Sequence, residues 1–314
     1  YNNLGNIYKK IGNYSHSLSF YCKAIEINPN YVTAKRNLGE LYFSNEKYSE
    51  AKKCFEEFND KTAIAKVIEC SYQLGKINNF ISEIEKAKKI NDLNIRVAAI
   101  SSFGSHQFNI NDNYPFCKNP EQFVQLNNLK NYIDNYKDFI GDLIKEVEIK
   151  DSTWETLHTT TKNGSQTNGN LFLNYGKNVE ILKKVLKTEL DSYNKTYKNE
   201  QFSLFKKWPK NLNLNGWFVK LFQNGYQDDH IHPDGLISGV VYLKVIDNPV
   251  GNEGAIELGR HGYNYKILNK NFPKGIHQPQ LGDIILFPSS LFHKTIPVKQ
   301  NTERCVIAFD LLPI

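Results

Sequence analysis

Through the first sixty residues, small and aromatic positions recur at an offset of 34. Leu4-Gly5 returns as Leu38-Gly39, Tyr8 as Tyr42, Ser17 as Ala51 and Tyr21 as Phe55. Asn28-Pro29-Asn30 closes the first unit before Tyr31 opens the next. The spacing predicts helices in pairs, with Gly5, Ser17 and Ala24 letting them approach and Tyr8 and Tyr21 filling the space between. A weaker third unit covers 63–90, with Leu74-Gly75 ending one helix and 80–90 forming another. Periodicity then lapses over 96–116, a Gly-, Ser-, Asn- and Pro-containing stretch that reads as a transition. Leu126, Leu129, Ile133, Phe139, Ile140 and Leu143 predict a helix within 123–147, and Ile181, Leu182, Val185, Leu186 and Leu190 another over 179–197. Between them, 154–169 is polar and rich in Thr, Asn and Gly, as either a loop over a site or an edge strand would be. From Trp217 onward the pattern shortens to runs such as WFVKLF, SGVVYLKVI, DIILFP and CVIAFDLL between turn signals. Short strands at this spacing predict a sandwich or a jelly-roll barrel.

The 34-residue period, with these small, aromatic and Pro positions, resembles the tetratricopeptide repeat. Stacked units of that kind present a concave surface that commonly holds a peptide or protein, so a partner on the repeats is expected. Tyr1 falls inside a repeat, so the chain is expected to be a piece of a longer one. The expected division is 1–95 for the helical repeats, 96–150 for a connector with supporting helices, and 151–314 for the β domain.

Composition narrows the functional classes. The chain has 314 residues, 40% of them hydrophobic and 23% charged, enough for about two cores and no case for global disorder. No apolar run reaches the roughly 18 to 20 residues that span a bilayer. The net charge of +6 has no basic stripe behind it, which speaks against nucleic acid. Five scattered cysteines without a CxxC pair fit a reducing, cytoplasmic setting and argue against a zinc ribbon or a disulfide scaffold.

Histidines supply the chemistry. His230 and His232 are spaced i, i+2, which on a strand turns both rings to one face. His293 follows a later strand ending in Phe287-Pro288. Three imidazoles from separate strands can hold a metal on one side and leave positions open for other ligands. Arg304 comes eleven residues after His293, across a polar turn. Folded as a hairpin, that spacing brings its guanidinium within about 10 Å of the metal position, where it would clamp a carboxylate.

The segments GYQDDHIHPDGLISGVVYL, LGDIILFPSSLFHKTIPV and ERCVIAFDLLP resemble the 2-oxoglutarate/Fe(II) oxygenases found behind tetratricopeptide repeats, distant relatives of prolyl 4-hydroxylases. The match covers about 217–313, and TTKNGSQTNGNLF resembles a stretch these proteins carry ahead of the core. The resemblance implies a double-stranded β-helix, with His230, His232 and His293 holding Fe(II). It implies that 2-oxoglutarate chelates the iron, with its far carboxylate on Arg304 and the Tyr242 hydroxyl. The implied reaction is hydroxylation with dioxygen, 2-oxoglutarate leaving as succinate and CO2, and no separate general acid or base is required. The broader superfamily uses two His and one carboxylate. His232 stands where that carboxylate would be, while Asp234, in His232-Pro233-Asp234, is an alternative ligand or a turn residue beside Gly235.

Rival readings are a cupin-like metalloenzyme that does not use 2-oxoglutarate, which Arg304 disfavours, and a non-catalytic repeat protein. Gly251, Gly254 and Gly259 read as turn or bulge positions, and Gly282-Asp283 as a turn entering a strand. His261 and His277 read as exposed, and His16, His106 and His158 as histidines without sequence partners.

Overall fold

The computed structural model describes residues 1–155, 160–173 and 176–313. The chain divides into two compact units, Tyr1–Tyr114 and Pro115–Ile314.

The first unit is a run of helices: α1 (Asn2–Lys10), α2 (Tyr14–Ile27), α3 (Val32–Ser44), α4 (Tyr48–Phe55), α5 (Lys61–Gln73), α6 (Ile77–Ile90) and α7 (Ile95–Phe108). The predicted small-against-aromatic packing is present. A Cβ on Gly5 would lie 2.5 Å from the Tyr21 ring, and one on Gly39 would lie 3.0 Å from that of Phe55. Tyr21 and Phe55 are buried in these contacts. Tyr8 sits at the edge, stacked between His16 and Phe20 at ring separations of 5.0 and 5.3 Å. Helix α7 occupies part of the stretch expected to be irregular. Its small and apolar residues, from Ile95 through Gln107, are buried nearly all round, so no polar face remains to mark a 3.6-residue period.

The second unit is a curled antiparallel sheet with helices against it, a jelly-roll architecture. Its strands are β1 (Gln125–Asn128), β2 (Ser152–Trp154), β3 (Thr161–Thr167), β4 (Asn213–His230), β5 (Ile237–Lys244), β6 (Ile256–Gly259), β7 (Lys274–His277), β8 (Asp283–Pro288), β9 (Phe292–Thr295) and β10 (Arg304–Leu312). The order is β1-β8-β5-β10-β4-β9-β6-β7, with β3 also on β4 and β2 on β3. Strand β4 carries the curl. Its first half pairs with β10, its middle with β3, and its last residues with β9 across a register break.

Three helices accompany the sheet: α8 (Tyr136–Glu148), α9 (Lys177–Tyr197) and the short α10 (Ser203–Lys206). Helix α9 matches its expected span and buries Leu182, Val185, Leu186 and Leu190. The helix expected over 123–147 is confined to its second half, because the first half adds β1 to the edge of β8. There Leu126 points to solvent. Of the two readings of 154–169, the described residues form a strand rather than a loop, but not an edge: β3 pairs with both β2 and β4, and β2 is the outer strand.

Pairing register fixes which side chains line the barrel, since residues opposed across antiparallel strands share a face. Val306 opposes Val219 and Tyr242, and Ala308 opposes Trp217 and Val240. Asp310 likewise opposes Asn215 and Ser238. Val219, Val240, Tyr242, Ile285, Phe287 and Val306 form the apolar core on that face. Arg304, two residues before Val306, shares it at one end of β10 and Asp310 at the other, separated by about 20 Å of extended strand.

Candidate metal centre

His230 ends β4 and lies directly opposite His293 of β9. His232 follows in the turn toward β5. The ring centroids are 4.2 Å apart for His230 and His293, 4.9 Å for His232 and His293, and 5.1 Å for His230 and His232. One nitrogen from each ring falls within 4.8 Å of the others, and among the described residues this is the group of His, Cys, Asp and Glu able to hold a metal. Asp234 is exposed on the turn and stands outside that group.

Each ring has its Nδ1 engaged. His230 Nδ1 contacts the Asp228 carbonyl at 2.6 Å, His293 Nδ1 the Leu291 carbonyl at 3.3 Å, and His232 Nδ1 the Asp310 carboxylate at 2.5 Å. These oxygens accept hydrogen bonds, so each Nδ1 carries a proton and Nε2 is the nitrogen left to face a metal. Burial, then the neighbouring His232, pushes His230 down to about 3; burial, then both other imidazoles, holds His293 well below its usual value. Both are therefore neutral near pH 7, the form that ligates metal.

The same cavity is walled by Trp217, Gln227, Thr295 and Arg304. Trp217 packs on the His232 ring and Phe287 on that of His293. Arg304 is 2% exposed, and its Nε donates to the Gly254 carbonyl at 2.9 Å. Its Nη1 is buried without a hydrogen-bond partner, and so is the Tyr242 hydroxyl beside it. Burial pushes Tyr242 up to about 12, so it remains a donor through the physiological range. Among the described residues neither buried donor has an acceptor beyond the other side chain, and one of the two is cationic, which fits a carboxylate from a ligand.

Gly254 takes a left-handed φ of +72°, and its neighbour Glu253 holds the loop in place. The Glu253 carboxylate accepts from the backbone N–H groups of Val250, Lys299 and Gln300 and from the Gln300 side chain. The Gly254 that supports Arg304 is thereby tied to the turn leading into β10. Nothing in the spacing of Glu253 signalled this.

The sequence also left Asp310 without a role, although an acid inside CVIAFDLL is a signal of its own. Ser238 donates to the same Asp310 oxygen at 2.7 Å and contacts Ser289 at 2.8 Å. Gly235 makes room, since a Cβ there would lie 2.7 Å from Ser289 Oγ and 3.0 Å from Asp310 Cγ.

Two histidines expected to be exposed are half-buried and bonded. His277 meets Asp283 at 2.9 Å at the entry to β8, and His261 meets the Tyr265 carbonyl at 2.9 Å. His16 stacks on Tyr8, and His158 lies outside the described residues. Among the described residues, no helix is long and apolar enough to cross a membrane.

Residues 215–310 match the family model described as "Putative 2OG-Fe(II) oxygenase", and residues 1–31 and 36–58 match the tetratricopeptide repeat. A stretch of 68 residues is 38% identical to the uncharacterized protein ycf37 of Pyropia yezoensis, covering 20% of this chain and 38% of that protein's length. Among solved structures, a Pseudomonas putida prolyl-4-hydroxylase is 12% identical with TM-score 0.45, over 61% of this chain and 92% of that one. HygX from Streptomyces hygroscopicus, with nickel and 2-oxoglutarate bound, is 13% identical with TM-score 0.42, over 60% and 82%. A Trichoplax adhaerens prolyl hydroxylase, in complex with a hypoxia inducible factor peptide fragment, is 14% identical with TM-score 0.40, over 74% and 92%. The chain carries a domain of the 2OG-Fe(II) oxygenase family behind tetratricopeptide repeats.

Proposed function

We propose that this protein is an Fe(II)- and 2-oxoglutarate-dependent dioxygenase that hydroxylates a substrate recruited by its repeats. The observation that carries the reading is the buried Arg304, whose unpartnered Nη1 lines the same cavity as the three histidines. His230, His232 and His293 hold the iron through Nε2, and Arg304 with the Tyr242 hydroxyl holds the far carboxylate of 2-oxoglutarate. Bound together, iron and 2-oxoglutarate supply dioxygen activation, with decarboxylation to succinate.

The chain contributes orientation and exclusion of water. Val240, Ile256, Val306 and Ala308 give the cavity dry walls, which strengthens the Arg304–carboxylate attraction. Trp217 lines both the metal cavity and an open cleft with Gln166, Asn168 and Asn215, to which no charged side chain among the described residues contributes. An uncharged, hydrogen-bonding portion of the substrate suits that cleft, while the repeats suit a protein or peptide partner.

Calorimetric titration of 2-oxoglutarate into anaerobic protein tests the reading. Binding in the micromolar range is expected with Mn(II) or Fe(II) present and loss of most of it without metal. Equal binding with and without metal contradicts the assignment.

A further inference from the structure

We propose that Asp310 carries the negative charge of this metal centre, one hydrogen bond behind the ligands, and fixes His232 in its ligating tautomer. The inference rests on the reading of the three histidines as metal ligands.

A two-His, one-carboxylate site gives a divalent cation one anionic ligand. Three neutral imidazoles give it none, so until 2-oxoglutarate binds, the cavity would hold two positive charges that no ligating side chain offsets, with Arg304 adding a third. The structure places an acid where it offsets part of that charge. The Asp310 carboxylate lies 2.5 Å from His232 Nδ1, buried at 6% exposure. An acceptor there keeps the proton on Nδ1, leaves Nε2 bare, and makes the ring a stronger donor to a cation.

The surroundings are built to hold the carboxylate. Ser238 donates to the oxygen that faces His232, and Ser289 contacts Ser238 in turn. Gly235 leaves the space that a side chain would take from Asp310. Asp310 and Arg304 are the two charged residues of β10, both on its barrel-lining face. One strand thus brings an anion toward the metal ligands and a cation toward the 2-oxoglutarate carboxylate. Asp310 touches neither metal nor substrate in this account; it is a positioning residue acting through His232.

Co(II) affinity, measured by equilibrium dialysis on wild type, Asp310→Asn, His232→Asp and the double variant, tests this. Asp310→Asn keeps the shape and removes the charge, and should weaken Co(II) binding about 10- to 100-fold. In the His232→Asp background the anion is already in the ligand set, so adding Asp310→Asn should cost less than threefold. A purely structural Asp310 would weaken both backgrounds alike, which overturns the proposal. Equal Co(II) affinity of wild type and Asp310→Asn overturns it too, leaving the metal reading intact; a wild type that binds no Co(II) sinks the metal reading itself. If Asp310→Asn does not fold, long-range proton–nitrogen NMR on metal-free wild type decides: Nδ1–H on His232 is expected, and an Nε2–H tautomer contradicts the proposal.

Discussion

The Arg304 guanidinium carbon lies 5.0 Å from the centre of the Tyr242 ring, and the two side chains share a buried space in which, among the described residues, Arg304 Nη1 and the Tyr242 hydroxyl face no acidic partner. A buried cation without a counter-ion is costly to the free protein. Arg304 is therefore better explained by a ligand than by stability.

Arg304→Met keeps the apolar stem and removes the charge. It should raise the 2-oxoglutarate Kd at least a hundredfold, since losing one partner of a buried charge pair costs about 3 to 5 kcal/mol. The melting temperature of the ligand-free protein should not fall, because an unpaired charge has left the core. Calorimetry and thermal unfolding on the same preparations separate the two effects.

Tyr242→Phe removes one donor to the same carboxylate. A hydrogen bond to a charged group contributes about 1.5 to 3 kcal/mol, so the Kd should rise between about tenfold and a hundredfold. Because burial holds Tyr242 protonated, the ratio of wild-type to variant Kd should be flat from pH 6 to pH 9.

Glu253 gives an acid-side prediction. Its backbone hydrogen bonds, first that from Val250, lower the carboxyl to about 2. A depressed folded value means the unfolded chain binds the proton more readily. The stabilisation is therefore complete above the unfolded value near 4.5 and is lost as pH falls toward 2. Glu253→Gln should cost about 1 to 3 kcal/mol at pH 7 and flatten that part of the stability–pH curve. Urea unfolding at pH 7 and pH 3 measures both. Loosening Gly254 should also weaken 2-oxoglutarate binding through Arg304.

Two glycines separate packing from backbone effects. A Cβ on Gly104 would lie 2.5 Å from the Phe80 ring, so Gly104→Val should destabilise the helical unit by about 1 to 3 kcal/mol. Gly141, inside α8, has no such neighbour within 4 Å. Gly141→Ala should stabilise the protein by about 0.5 to 1 kcal/mol, as relief of a helical glycine does. Urea titrations followed by circular dichroism check both signs.

The repeats were legible because a 34-residue period places Gly5 against Tyr21 and Gly39 against Phe55, and such close approach tolerates few residue types. Helix α7 was not, since burial on all sides erased the contrast between faces from which a period is read. Strand β1 was missed because Leu126 and Leu129 mimic helical spacing, while the pairing with β8 joins residues more than 150 positions apart. At the site, His230, His232 and His293 are brought together as the spacing suggested, and Arg304 lines the same cavity. The supporting groups were harder to find. Asp310 meets His232 only after β10 pairs between β4 and β5, and Glu253 works through backbone N–H groups that leave no residue pattern.

A cavity of this kind should consume 2-oxoglutarate at a histidine-bound iron. The most direct measurement is succinate formed by the purified protein under air with Fe(II), ascorbate and 2-oxoglutarate. Slow release of succinate, matched by loss of 2-oxoglutarate, is predicted for wild type and should fall to background in His293→Ala and Arg304→Met. Folded wild type that binds both metal and 2-oxoglutarate yet forms no more succinate than His293→Ala would contradict the account.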